Sequence, residues 1–125
     1  MKMDPATRRR SFFLPFEAIR PLAPCRGLGL ATDRITVDGH PVGFMYREEP
    51  DYPNDSGWRF MAGDEPREYL SDPDNWALYD VNVIANYDRD TIPFLDVPAG
   101  TAYERHPERG CFRSVSFPER DEEAG

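Results

Sequence analysis

Proline sets the terms on which this chain can fold. Thirteen prolines are spread over 125 residues, and only residues 25–40 and 74–92 run more than 15 positions without one. A proline inside a helix removes a hydrogen bond and collides with the preceding turn, at a cost of about 3 kcal/mol. Spacing alone therefore excludes a helix bundle. The first proline-free stretch also contains Gly27, Gly29 and Gly39, which weaken a helix further. What remains is a fold of short elements joined by fixed turns. The length suits one domain, able to hide roughly two-thirds of its unfolded surface. A composition that is 39% hydrophobic and 13% aromatic can fill its core, although mean hydropathy is −0.69.

Between the prolines, apolar alternation marks strands. Arg34–Val37 and His40–Tyr46 flank Asp38-Gly39, a pair suited to the positive φ angles of a two-residue hairpin turn. That register predicts Val42, Phe44 and Tyr46 on the core face. Glu48 to Gly57 is rich in turn residues and reads as an exposed loop, and Trp58–Ala62 alternates as a strand with Trp58, Phe60 and Ala62 on one side. Asp64 is placed to cap a short helix over Glu65–Leu70, which Asp72-Pro73-Asp74-Asn75 ends. Trp76–Tyr79 reads as a buried strand. Val81, Ile84 and Ala85 then fall at helical spacing behind Asp80, for a helix of about two turns. Thr101–Arg105 and Phe112–Phe117 close the sheet around the Pro107–Gly110 turn. The expected fold is α+β, a single small domain with a mainly antiparallel sheet and one or two short helices.

Charge is unevenly distributed. The net −8 is the sum of +4 over residues 1–30 and −12 over the rest, and residues 47–96 hold 13 acids against four arginines. Such a body repels polyanions, which excludes nucleic acid as its partner. Arg8-Arg9-Arg10-Ser11-Phe12-Phe13-Leu14 has the outline of an export signal, which needs roughly 7–15 uninterrupted apolar residues. Pro15, Glu17, Arg20 and Pro21 interrupt it at once, and no 18-residue apolar run exists to span a membrane. We expect a cytoplasmic protein with no membrane partner. Its basic, partly ordered arm covers residues 1–24, its domain residues 25–117, and a disordered acidic tail residues 118–125. Cys25 and Cys111 lie 86 positions apart and form no metal-type pair. The expectation is buried, reduced thiols.

No catalytic constellation stands out. Asp72-x-Asp74 lacks the glycine and distal glutamate of a calcium loop, and His40 and His106 each stand alone, as exposed loop residues. Ser56 is not in a nucleophile elbow, and Gly27-Leu28-Gly29 lacks the third glycine and following helix of a dinucleotide loop. We expect no cofactor, no metal and no enzymatic activity.

One ordered set of motifs is distinctive. It runs Thr32-Asp33-Arg34-Ile35-Thr36-Val37-Asp38-Gly39, Val42-Gly43-Phe44-Met45-Tyr46-Arg47-Glu48-Glu49-Pro50, and Asp55-Ser56-Gly57-Trp58-Arg59-Phe60. Gly63-Asp64-Glu65, Asp72-Pro73-Asp74-Asn75, Asn86-Tyr87-Asp88, Ile92-Pro93 and Gly100-Thr101-Ala102-Tyr103-Glu104-Arg105 complete it. Over roughly residues 25–106 the chain resembles the bacterial domain-of-unknown-function family 2185, also called the immunity-protein-33-like family. The resemblance implies a small bacterial α+β protein of a polymorphic toxin system, in which an immunity protein blocks a toxin made by its own cell. It brings no catalytic residue with it.

Composition and resemblance meet in one hypothesis. An acidic centre masks a basic toxin surface, with Glu48, Glu49, Asp51, Asp55, Asp64 and Glu65 facing the partner and Trp58 as an anchor at the loop rim. The rival is a small-ligand module with an aromatic pocket lined by Tyr46, Trp58, Trp76 and Tyr79.

Overall fold

The structure, a computed structural model, describes residues 10–118. Its central strand is the run Asp55-Ser56-Gly57-Trp58-Arg59-Phe60-Met61, buried along its whole length. Strand alternation sends Trp58 and Phe60 to one face of the sheet and Arg59 and Met61 to the other. Among the described residues this strand is one of six: β1 (Leu28–Thr32), β2 (Phe44–Arg47), β3 (Asp55–Met61), β4 (Trp76–Asp80), β5 (Thr101–Arg105) and β6 (Phe112–Val115). They pair in the order β4-β1-β3-β2-β5-β6. Only β1 and β3 run parallel. β1 passes directly into a helical turn, α1 (Asp33–Thr36), and a parallel neighbour requires such a crossover. The chain returns as β2, and the β2–β3 hairpin then seats β3 beside β1. The fold is α+β on a mainly antiparallel sheet, as the turn spacing predicts.

One face of the sheet is covered by α1, α3 (Val81–Tyr87) and the helical turn Arg89–Phe94. The predicted cap of α3 is in place, with Asp80 accepting from the Asn82 N–H at 2.9 Å. Val81, Ile84 and Ala85 are buried beneath it. They meet Trp58 and Phe60, stacked at 5.7 Å, together with Ile35, Met45 and Leu95. The Trp58 indole N–H donates to the Leu95 carbonyl at 3.0 Å, so its one polar group is satisfied in the core. Residues 14–23 lie along α3 as a strap. Asn82 Oδ1 accepts from the backbone N–H groups of Leu22 and Ala23, and its amide donates to the Arg20 carbonyl. The remainder of the predicted arm, residues 1–9, and residues 119–125 of the predicted tail lie outside the described residues.

Several local expectations are corrected. The Arg34–Val37 arm of the hairpin is helical instead. Gly39 has φ of +81°, its N–H bonds to the Ile35 carbonyl, and the His40 N–H reaches back to Arg34. The Gly39 bond is that of an αL helix ending, which needs the same positive-φ glycine as a hairpin turn. Burial of Ile35 and Thr36 decides between them. The face of β2 is consequently inverted: Met45 is fully buried in the core, while Phe44 and Tyr46 point to the opposite face. Val42 is buried as expected, but ahead of the strand, with its N–H bonded to Asp88.

β4 is an edge strand rather than a buried one, and Leu78 is 51% exposed. The short helix α2 runs Arg67–Ser71 with Pro66 at its cap position, because Asp64 is engaged by Arg34. The loop is exposed over residues 49–54, whereas Asp55–Gly57 begin β3. His40 and His106 are half-buried, and His106 Nδ1 accepts from the Glu108 and Arg109 N–H groups of the closing turn. Both cysteines are free, but exposed rather than buried.

Candidate functional site

Among the described residues, the sheet's second face carries no long helix. One row across it reads Leu78, Leu30, Arg59, Tyr46, Ala102 and Val115. The neighbouring row pairs Trp76 with Thr32 and aligns Met61, Phe44, Glu104 and Arg113. Only short pieces of chain roof these rows. Leu70 of α2 accepts the Trp76 indole N–H at 2.9 Å. At the other side Phe117 packs edge-on against Tyr46, with ring centroids 5.5 Å apart. Two adjoining grooves remain, sharing Tyr46 and Leu70. One, of about 790 Å³, reaches from Phe44 and Met61 to His40, Glu65 and Arg105. The other, of about 670 Å³, is bounded by Leu30, Glu48, Arg59, Trp76 and Leu78.

Arg59 is one of the residues lining the second groove. Its guanidinium bonds to both oxygens of Asp55 at 3.0 and 3.1 Å and to Glu48 at 2.7 Å, with Asp51 3.9 Å away. The Asp55 side chain is fully buried and Arg59 is 5% exposed. Burial works against the charge of Asp55, but Arg59 and the N–H groups of Asp51 and Gly57 outweigh it and hold the carboxyl at about 2. Burial opposes the Arg59 charge too, yet Asp55 and Glu48 raise its pKa above the ordinary value. Gly57 lets the hairpin close around this pair. Its φ is +88°, and a Cβ there would stand 2.1 Å from the Glu48 carbonyl oxygen.

At the far end of β3 a second set of charges borders the larger groove. Arg34 grips Asp64 with two bonds, 2.7 and 3.1 Å, and also reaches Asp38 at 3.6 Å. Arg34 depresses the Asp64 pKa, and Asp64 raises that of Arg34. His40 Nε2 lies 3.7 Å from the same carboxylate. Glu65 accepts from the Thr32 hydroxyl and from the Ala62 and Gly63 N–H groups, and among the described residues no cation stands within ion-pair distance of it. Arg105 binds Asp88 and Asp90 while lying over the Phe112 ring. Glu104 pairs with Arg113 at 3.4 Å.

The predicted partner-facing residues thus separate. Glu48, Glu49, Asp51 and Asp55 gather at one end of β3, and Asp64 and Glu65 at the other, about 20 Å away at strand spacing. Two of the set do not face outwards at all. Asp55 is enclosed by Arg59, and Trp58 is fully buried on the opposite side of the sheet, so it cannot anchor a partner. The aromatic pocket is likewise divided by the sheet. Tyr46 and Trp76 share the grooved face, whereas Trp58 and Tyr79 belong to the core, where the Tyr79 hydroxyl meets that of Thr36 at 3.0 Å.

The residues that sequence reasoning passed over are the arginines. Arg59 lies between Trp58 and Phe60, and period-2 alternation already assigns it to the opposite face, where a buried guanidinium requires carboxylates. Arg34 and Arg105 left no comparable signal, since their hydrogen-bonded partners Asp64 and Asp88 are 30 and 17 positions away. Among the described residues no group of three or more histidines, cysteines or carboxylates is arranged to hold a metal ion.

Comparison with known families matches residues 29–116 to the family described as the Immunity protein Imm33 domain. Comparison with curated proteins and with solved structures found no match. The chain belongs to the Imm33 immunity protein family.

Proposed function

From that membership we propose that the protein is a bacterial, cytoplasmic immunity protein that binds and neutralises a cognate toxin through an acidic surface, without catalysis. The observation that carries this reading is the charge balance beside the grooved face. Arg59 is shared by Asp55, Glu48 and Asp51, and Arg34 by Asp64 and Asp38. Carboxylates outnumber cations at each centre, so the surface presents a net negative field to a basic partner. The contacting charges are Glu48, Glu49, Asp51, Asp64 and Glu65, with Asp55 and Trp58 as the scaffold beneath them.

Such a field accelerates encounter more than it adds affinity. Glu49 is exposed and Asp51 is 80% exposed, so both can be reversed without disturbing the core. In the double substitution Glu49→Lys, Asp51→Lys, association with the cognate toxin should slow several-fold at low salt. Its ionic-strength dependence should weaken. Unchanged association kinetics would refute the acidic-surface reading.

A further inference from the structure

We propose that the two adjoining grooves receive a segment of a partner protein carrying an apolar side chain between cationic ones. The toxin-binding reading supplies only the identity of that partner; the chemistry follows from the grooves themselves. Their apolar floor is aromatic and aliphatic, with Phe44, Tyr46 and Trp76 half-buried and Leu78 51% exposed. Apolar surface gathered in a concave, roofed site is the usual seat of an interface anchor.

The walls select the charge of what flanks that anchor. Every arginine lining the grooves is already bound to carboxylates: Arg59 to Asp55 and Glu48, and Arg105 to Asp88 and Asp90. Among the described residues an incoming anion finds no unpaired arginine there. Glu65, by contrast, is held only by neutral donors and keeps its charge uncompensated at the groove. A lysine or arginine is therefore welcome beside the apolar anchor, and an acidic residue is repelled.

The same argument dismisses the two nearest alternatives. Pro118 borders the larger groove, and the seven residues after it hold four acids against Arg120 alone. Their charge matches that of the walls. A second copy of the chain, at net charge −8, would bring an equally acidic face.

The test uses the full-length chain, labelled with ¹⁵N and titrated with three blocked pentapeptides: Lys-Leu-Lys-Phe-Lys, Glu-Leu-Glu-Phe-Glu and Lys-Ser-Lys-Ser-Lys. The first should move the Trp76 indole signal and the amides of residues 44–47, with a Kd at least tenfold below those of the other two. Leu78→Lys should weaken it at least fivefold while leaving the Trp58 indole signal, a reporter of the intact core, in place. Equal binding of the serine peptide, or shifts confined to residues 49–54, would overturn the proposal. So would a gain above threefold on deleting residues 119–125, which would make the tail the occupant. Groove signals that move with protein concentration alone would give that role to a second copy. A toxin captured equally well by Leu78→Lys would refute the groove and retain the toxin reading. A toxin that fails to bind while the basic peptide still occupies the groove would do the reverse.

Discussion

Replacing Arg59 by methionine keeps the buried stem and removes the charge. The Asp55 carboxylate, fully buried and otherwise held by two backbone N–H groups, is then left without its counter-ion. Breaking one side of a buried pair costs about 3–5 kcal/mol, a large share of the roughly 5–15 kcal/mol that stabilises a typical domain. The charge origin of that loss has a pH signature. In the native protein Asp55 is depressed from 3.8 to about 2. A depressed carboxylate contributes stability that is fully present above its unfolded pKa and is lost as pH falls through its folded pKa. Here the contribution is about 2 kcal/mol, from 1.36 kcal/mol per pKa unit. In Arg59→Met, burial of Asp55 is opposed only by the Asp51 and Gly57 N–H groups, and its pKa rises. The variant's deficit should therefore be greatest near pH 7, shrink as pH falls towards 4, and be small near pH 2. Urea unfolding followed by tryptophan fluorescence at pH 7, 5 and 3 measures it. A deficit under about 1 kcal/mol at pH 7, well below the range for a broken buried pair, would refute the reasoning. A deficit that stays constant across the range would assign the loss to packing instead. Adding Asp55→Asn to Arg59→Met should recover part of the loss, since the stranded charge is then gone.

Gly57→Ala should cost at least about 2 kcal/mol, because an L-residue there adopts a left-handed backbone and also meets the Glu48 carbonyl; a shift in the urea midpoint reads it, and an unchanged midpoint would contradict the hairpin geometry. Asn82→Ala removes three hydrogen bonds that tie the strap to α3. The Leu22 and Ala23 amides should then exchange with solvent much faster while the β3 amides stay protected, and equal protection in both would show that the strap is held elsewhere. With Trp58 buried and Trp76 half-buried, the fluorescence remaining in Trp76→Phe should resist quenching by iodide. Ready quenching would return Trp58 to the surface.

How far the sequence discloses this protein depends on the range of the interaction concerned. α3 is legible because its cap, Asp80, and its buried positions, Val81, Ile84 and Ala85, lie within six residues of one another. Asp38-Gly39 misleads for a local reason: a hairpin turn and a helix ending both require glycine at positive φ. What separates them is where Ile35 finds its burial, and that is settled by residues far along the chain. The face of β2 follows from the same choice, so reading a hairpin there also inverted Phe44 and Tyr46. Alternation exposes Arg59, but not Arg34 with Asp64 or Arg105 with Asp88, which are 30 and 17 positions apart. Among 23 acids and 15 bases, composition offers far too many pairings to choose from.

The acidity of the domain consequently has two components that act over different distances. A carboxylate bound to an arginine at about 3 Å cancels it for any partner beyond the roughly 8 Å screening length of physiological salt. Asp55 and Asp88 belong to that silent part, since both are buried against arginine. Glu49, Asp51 and the carboxylates in excess at Arg59 and Arg34 form the part that a distant partner meets. Glu65, with no cation to cancel it, adds to that field and also meets a partner inside the groove. Encounter and grip are thereby largely separated in space. On the proposed binding mode, charges on the 49–51 loop set the rate of approach, while Tyr46, Trp76, Leu78 and Glu65 set how long a partner stays. A substitution in the loop should change the association rate and its salt dependence, and one in the groove should change the dissociation rate.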